Sequence, residues 1–265
     1  MSRLDEAFAR IRSEGRPGLI TYTTAGDPDL PRSAGILKAL DHAGADVLEV
    51  GIPFSDPLAD GPVIQRATER ALAAGGNLRT ALAMIAELRA EIAASIVVFS
   101  YANPLLRLGV REFARRAADA GVDGVLALDL PIEEAGDLRD VLAAVGVDMI
   151  FLLSPTTTDA RIARAAQLGS GFLYGISRLG VTGARDQVSS GAASMVRRIR
   201  EHTAMPIALG FGVSRPEHVA EIGVYADAAV VGSALVSVIA KESATTELLP
   251  RVEDYVRWLK SYAHA

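Results

Sequence analysis

The sequence has 265 residues, 27 basic and 32 acidic side chains and a formal net charge of -5, with half of its residues hydrophobic and 22% charged. A chain this long buries roughly 75% of its unfolded surface, and the balanced charge lacks the basic footprint of a nucleic-acid binder. Cysteine is absent, which excludes disulfides, thiolate metal centres and cysteine nucleophiles, and no apolar run approaches the roughly 18 residues of a membrane helix.

Residues 1–16 alternate charged with apolar side chains and lack the apolar stretch of a secretion signal, so the cytoplasm is the expected compartment. This segment reads as a helix ahead of the first strand. Eight short apolar runs follow at 19–23, 47–51, 96–100, 124–128, 149–153, 172–176, 206–210 and 228–232, each trailed by a longer segment with helical spacing. They are rich in Val, Ile and Leu without polar alternation, the pattern of strands covered on both faces. Three returns repeat one signal, Gly then Asp just before a strand: Gly44 and Asp46, Gly121 and Asp123, Gly146 and Asp148. Glycine there can adopt the left-handed conformation that stops a helix. The alternation predicts a (β/α)8 TIM barrel over residues 1–265 as one domain, with a doubly wound open sheet as the rival. Two connections exceed the usual length: 52–62, with an additional helix at about 63–74 after strand two, and 177–191 after strand six. Both leave carboxyl ends of strands, where barrels build active sites.

Glu49 lies within the apolar run Val-Leu-Glu-Val-Gly. A carboxylate stranded there has its pKa raised, which suits it to moving protons near neutral pH; the alternative is a Glu neutralised by a nearby Arg. Asp60 precedes Gly61-Pro62 and fits a turn or cap as well as a catalytic role. Asp27 and Asp56 read as turn residues before proline, while Asp129 at the end of strand four is the serious competitor. Lys38, Lys241 and Lys260 fall in helical segments, which argues against a Schiff-base lysine, and the four histidines lack metal-ligand spacing, so no metal is expected. Tyr22, Tyr101 and Tyr174 sit near carboxyl ends of strands, where each serves equally as packing. After the last three strands come Gly180 to Gly183, Gly210-Phe211-Gly212 and Gly232-Ser233. That corner of a barrel binds phosphate through backbone N–H groups at a helix start, so a phosphorylated substrate is expected, with Phe211 as a flat wall beside it.

These residues resemble the tryptophan synthase α subunit family over nearly the whole chain. The resemblance rests on Thr24-Ala-Gly-Asp-Pro28, on Glu49 with Pro53-Phe-Ser-Asp-Pro-Leu-Ala-Asp-Gly-Pro62, on Tyr101-Ala-Asn-Pro104 and Asp129-Leu-Pro-Ile-Glu-Glu134, and on Ser177-Arg-Leu-Gly-Val-Thr-Gly-Ala184, Gly210-Phe-Gly-Val-Ser214 and Gly232-Ser-Ala234. It implies retro-aldol cleavage of indole-3-glycerol phosphate into indole and glyceraldehyde 3-phosphate. By the same resemblance Glu49 moves protons at indole C3 and the side-chain hydroxyl, and Asp60 holds the ring N–H. Tyr22, Leu126, Tyr174 and Phe211 match positions around the substrate, Thr182 and Gly183 belong to a mobile lid, and Gly212, Gly232 and Ser233 fall at the phosphate. The family partner is a β subunit carrying pyridoxal phosphate in an α2β2 assembly, so no cofactor is expected in this chain. Thr21, where many relatives carry proline, and Ser100 depart from the pattern without touching that chemistry. The competing readings are a stand-alone indole-releasing lyase, a sugar-phosphate isomerase and a non-catalytic protein that has kept the fold.

Overall fold

Apolar runs with two faces to cover are satisfied by closing on themselves inside a layer of helices, and the chain does so. The computed structural model describes residues 1–176, 191–210 and 212–264. The runs become β1 (Gly18–Thr24), β2 (Val47–Gly51), β3 (Ser95–Ser100), β4 (Gly124–Ala127), β5 (Asp148–Leu153), β6 (Leu173–Ile176), β7 (Ile207–Gly210) and β8 (Ala228–Val231), each within a residue of the boundaries expected from sequence. All pairings are parallel in sequence order, and β8 returns to β1. The open sheet is thereby excluded.

Side chains alternate across each strand. Outward-facing Leu48, Val50, Ile96, Val98 and Val125 pack beneath the helices, and inward-facing Ile20, Val47, Val97, Leu126, Ile150 and Phe172 fill the barrel. The expected amino-terminal helix, Arg3–Ser13, starts with a capping box between Ser2 and Asp5 and plugs the bottom of the barrel with Leu4, Phe8 and Ile11. Its Phe8 ring lies 5.4 Å from that of Phe172. The additional helix after β2 is Pro62–Ala73, with proline in its first turn, where the missing N–H costs nothing. The connection at 177–190 lies outside the described residues.

The repeated Gly and Asp have distinct tasks. Gly44, Gly121 and Gly146 have φ of 90°, 77° and 74°, which turns the chain out of each helix. Asp46 then clamps the preceding strand twice: its N–H donates to the Leu19 carbonyl at 2.9 Å, and its Oδ2 accepts the Leu19 N–H at 2.9 Å. Asp123 grips Ile96 the same way, and so does Asp227 on Ile207, a third copy that lacks the glycine signal. An arginine ahead of each clamped strand neutralises the aspartate, Arg16 for Asp46, Arg89 for Asp123 and Arg200 for Asp227. Asp148 breaks the pattern, because its N–H donates to the Asp123 carbonyl while its Oδ2 is buried without a partner among the described residues.

Burial of Asp46 opposes its charge, but Arg16, Lys260 and the Leu19 N–H outweigh it and hold the pKa below the usual carboxylate value. The stability gained is therefore present above the unfolded pKa of about 4 and is lost as pH falls through the lower folded value. Asp46→Asn is expected to cost about 3 kcal/mol in urea unfolding at neutral pH, with a deficit that shrinks only below about pH 4. A deficit that changes between about pH 6 and about pH 8 would contradict this account.

Candidate active site

Period-two alternation places Val47, Glu49 and Gly51 on the inward face of β2, so the same geometry that buries Val47 also buries Glu49. Glu49 is 0% exposed, and neither of its carboxylate oxygens has a hydrogen-bond partner among the described residues. Burial alone pushes its pKa up to about 8, and no arginine is among the causes, so the neutralised-Glu alternative is not what the fold adopts. At neutral pH this group is a protonated acid poised to exchange its proton.

Asp60 reaches the same mouth from the loop after β2. It is 8% exposed, and its Oδ2 accepts the Tyr101 hydroxyl at 3.1 Å. Burial raises its pKa to about 6 against the lowering effect of that hydrogen bond, so it is mostly ionised at neutral pH. The side chain does not cap the helix; Gly61 occupies that position. The backbone is held as well, because the Asp60 carbonyl accepts Gln65 Nε2 at 2.9 Å. The helix that carries Gln65 is tied to the loop after β1 by Arg70, whose Nε and Nη2 donate to the two Asp27 oxygens at 2.7 and 2.9 Å. Asp27 is thus a structural anchor.

Tyr22 and Tyr174 complete the interior around the carboxylates. Tyr22 is paired in register with Glu49, and burial, with further contributions from Asp60 and Glu49, keeps its hydroxyl protonated. Burial and then Glu49 do the same for Tyr174. Both rings need glycine beside them: a Cβ on Gly51 would lie 2.2 Å from the Tyr22 hydroxyl oxygen, and one on Gly210 would lie 2.5 Å from that of Tyr174. Leu126 forms part of the buried floor, and Phe99, Leu128, Leu152 and Ile176 make partly exposed apolar walls above it. A flat aromatic group fits such walls, with a proton donor and an ionised acceptor at its polar edge.

Of the phosphate corner, Gly212 has φ of 86°, and Gly232 is the N-cap of the helix Ser233–Glu242, whose first turn has no side-chain cap and so leaves backbone N–H groups for an anion. Thr182, Gly183 and Phe211, expected at the lid and the aromatic wall, lie outside the described residues. The competitor Asp129 is exposed, and its Oδ1 accepts the Ala102 N–H at 2.6 Å, a cap for the helix Ala102–Leu108. Lys38 and Lys241 are exposed on helices, Lys260 donates to the Gly44 carbonyl at the opposite end of the barrel, and no metal-binding cluster occurs among the described residues. Neither the Tyr101 to Asp60 bond nor the need for Gly51 is visible in the sequence, since both depend on which side chains from separate segments meet.

A carboxyl whose pKa rises on folding favours the folded state at low pH and penalises it as pH climbs from the unfolded value towards the folded one. Glu49→Gln is therefore expected to stabilise the protein by about 2 kcal/mol at pH 8 and by far less at pH 5. Equal unfolding midpoints for variant and parent at pH 8 would refute an uncompensated buried carboxyl.

The profile of the tryptophan synthase alpha chain family matches residues 8–264. A tryptophan synthase alpha chain from Carboxydothermus hydrogenoformans is 50% identical over 239 residues, covering 90% of each chain. Another, from Roseiflexus castenholzii, is 46% identical over 261 residues, 98% of this chain and 100% of the relative. In a solved structure of Mycobacterium tuberculosis tryptophan synthase, a chain superposes with a TM-score of 0.90 at 39% identity, covering 100% of this chain and 99% of that one. Neither an isomerase nor a bare scaffold accounts for such agreement along the whole length. The chain belongs to the tryptophan synthase alpha chain family, the carbon–carbon lyases that cleave indole-3-glycerol phosphate into indole and glyceraldehyde 3-phosphate.

Proposed function

We propose that Glu49 is the proton carrier of the cleavage and Asp60 the acceptor of the indole N–H. The observation that carries this reading is the buried Glu49 carboxyl, without a hydrogen-bond partner among the described residues, whose pKa of about 8 leaves it protonated at neutral pH. Glu49 gives its proton to indole C3, which turns the ring into an iminium-like tautomer whose N–H carries positive charge. Ionised Asp60 stabilises that N–H. The bond between C3 and the side-chain carbon then breaks, its electrons return to the ring, and the hydroxyl on that carbon releases its proton to Glu49 as the aldehyde forms. Glu49 ends as it began, and the atoms of substrate and products balance. Tyr174 and Tyr22 keep their protons and serve as donors and packing beside the carboxylates.

The substrate's indole lies on the apolar walls above Leu126, Phe211 is assigned to the indole by the family match alone, and the phosphate meets Gly212, Gly232 and Ser233. Thr182 and Gly183 are assigned to substrate binding by the same family match. The partner is a tryptophan synthase β subunit in an α2β2 assembly in the cytoplasm. Pyridoxal phosphate chemistry belongs to that subunit. Support for docking comes from a groove of about 520 Å³ beside the active-site loop, lined by Pro53, Phe54 and Ser55 on one side and Asn103, Pro104 and Arg107 on the other. No helix among the described residues is long and apolar enough to cross a membrane.

The test is release of indole from indole-3-glycerol phosphate, with and without a β subunit. Glu49→Gln and Asp60→Asn are each expected to lower kcat by roughly 10² to 10⁴. Undiminished turnover in Glu49→Gln would overturn the mechanism. Because Asp60 must be ionised and Glu49 protonated, kcat/KM is expected to be bell-shaped, with apparent limbs near the values of about 6 and about 8 for the two groups. A profile flat across that window would assign the proton transfer to other groups.

A further inference from the structure

The role assigned to Asp60 uses one of its two oxygens, so the group engaging the other controls both where the carboxylate points and whether it stays charged. We propose that Tyr101 is the positioning residue for Asp60: its hydroxyl, oriented by the Ala59 N–H, commits its proton to Asp60 Oδ2 and leaves Oδ1 as the acceptor for the substrate. The proposal rests on the reading of Asp60 given above.

The geometry allows the phenol one arrangement. The Ala59 N–H can only donate, so at 3.0 Å from the Tyr101 oxygen it occupies a lone pair. The single hydroxyl proton then goes to the acceptor within reach, Asp60 Oδ2 at 3.1 Å. A protonated Oδ2 would present a donor to a donor, so the arrangement favours the ionised carboxylate. The frame of the barrel sets the phenol's position. Tyr101 directly follows β3, is 6% exposed and forms the N-cap of the helix Ala102–Leu108. Its ring packs at 5.3 Å from Phe54, which lies on the loop that carries Asp60. The loop has no strand or helix of its own between Gly51 and Pro62, so one side chain from β3 grips it at Phe54, Ala59 and Asp60.

Titratable neighbours come from several elements. Asp60, Glu49 on β2 and Tyr101 act on Tyr22 of β1, and Asp60 and Asp129 beyond β4 act on Tyr101. None of these is a cation that would keep Asp60 charged. Burial raises the Asp60 pKa, and the Tyr101 hydrogen bond is the opposing influence. Removing that bond moves the pKa further up.

Tyr101→Phe removes the hydroxyl and keeps the ring against Phe54. With the full chain and indole-3-glycerol phosphate, kcat and KM are measured from about pH 5.5 to about pH 9 for the parent, Tyr101→Phe, Asp60→Asn and the double variant. The acidic limb of kcat/KM in Tyr101→Phe is expected to move up by roughly one pH unit, with about a tenfold loss near pH 6 that recovers in part towards pH 9. In the Asp60→Asn background, the same substitution is expected to change turnover by less than about twofold, because no carboxylate remains to be held. An unmoved acidic limb, or a loss that is uniform with pH and accompanied by a lower melting temperature, overturns the positioning role while a collapsed Asp60→Asn leaves the Asp60 assignment standing. Full multiplication of the two losses in the double variant also overturns it. Undiminished turnover in Asp60→Asn sinks the Asp60 assignment and this proposal together.

Discussion

A carboxyl enclosed in the barrel with no hydrogen bond to either oxygen among the described residues is the constraint around which the upper half of this protein is arranged. Such a group resists ionisation because burial strips it of water, and the proton transfer proposed for it needs that resistance. The strand around it is unharmed, because backbone hydrogen bonds to β1 and β3 hold β2 whatever its side chains do. Space for the substrate follows from small inward-facing residues. Gly51 and Gly210 let the two tyrosines lie across the strands, and a Cβ at either position would run into a phenol oxygen.

The opposite end of the barrel carries the compensating stability. Asp46, Asp123 and Asp227 each grip the first residues of a neighbouring strand and meet an arginine, so their charges are used where that of Glu49 is withheld. Two groups of carboxylates therefore coexist in one barrel, separated by layers of Val, Leu and Ile. These three, at the amino-terminal ends of strands, are fixed by backbone N–H groups and by arginines. Those at the carboxyl ends are buried with few partners, which raises their proton affinity into the range where chemistry at neutral pH is possible.

The loop after β2 joins the two kinds of behaviour. It brings Asp60 to the mouth yet has little internal structure, so its shape is imposed from outside by Tyr101 from the end of β3, by Gln65 from the following helix and, through Arg70 and Asp27, by the loop after β1. Its outer edge borders the groove proposed for the β subunit. The same short stretch thus touches the proposed catalytic group on one side and the proposed docking surface on the other.

The linear sequence determined the barrel and the position of Glu49. Eight apolar runs without alternation, short returns through Gly and Asp, and one acid in a run otherwise free of charge are local patterns, and strand periodicity converts each directly into burial. It also marked the glycine corner by its place after the last three strands, whereas the roles of Asp60 and Tyr174 came only through family resemblance, because an aspartate before Gly-Pro fits a plain turn equally well. The tertiary structure gave Asp60 and Asp129, two acids at the carboxyl end of the barrel that sequence left in competition, different settings: one turns inward to a phenol, the other is exposed and caps a helix. It also gave Tyr101 its partners and Gly51 its reason. Those outcomes depend on which side chains from distant segments meet across closed strands. A sequence records the period of a strand, and the neighbour across it is fixed only when the barrel closes.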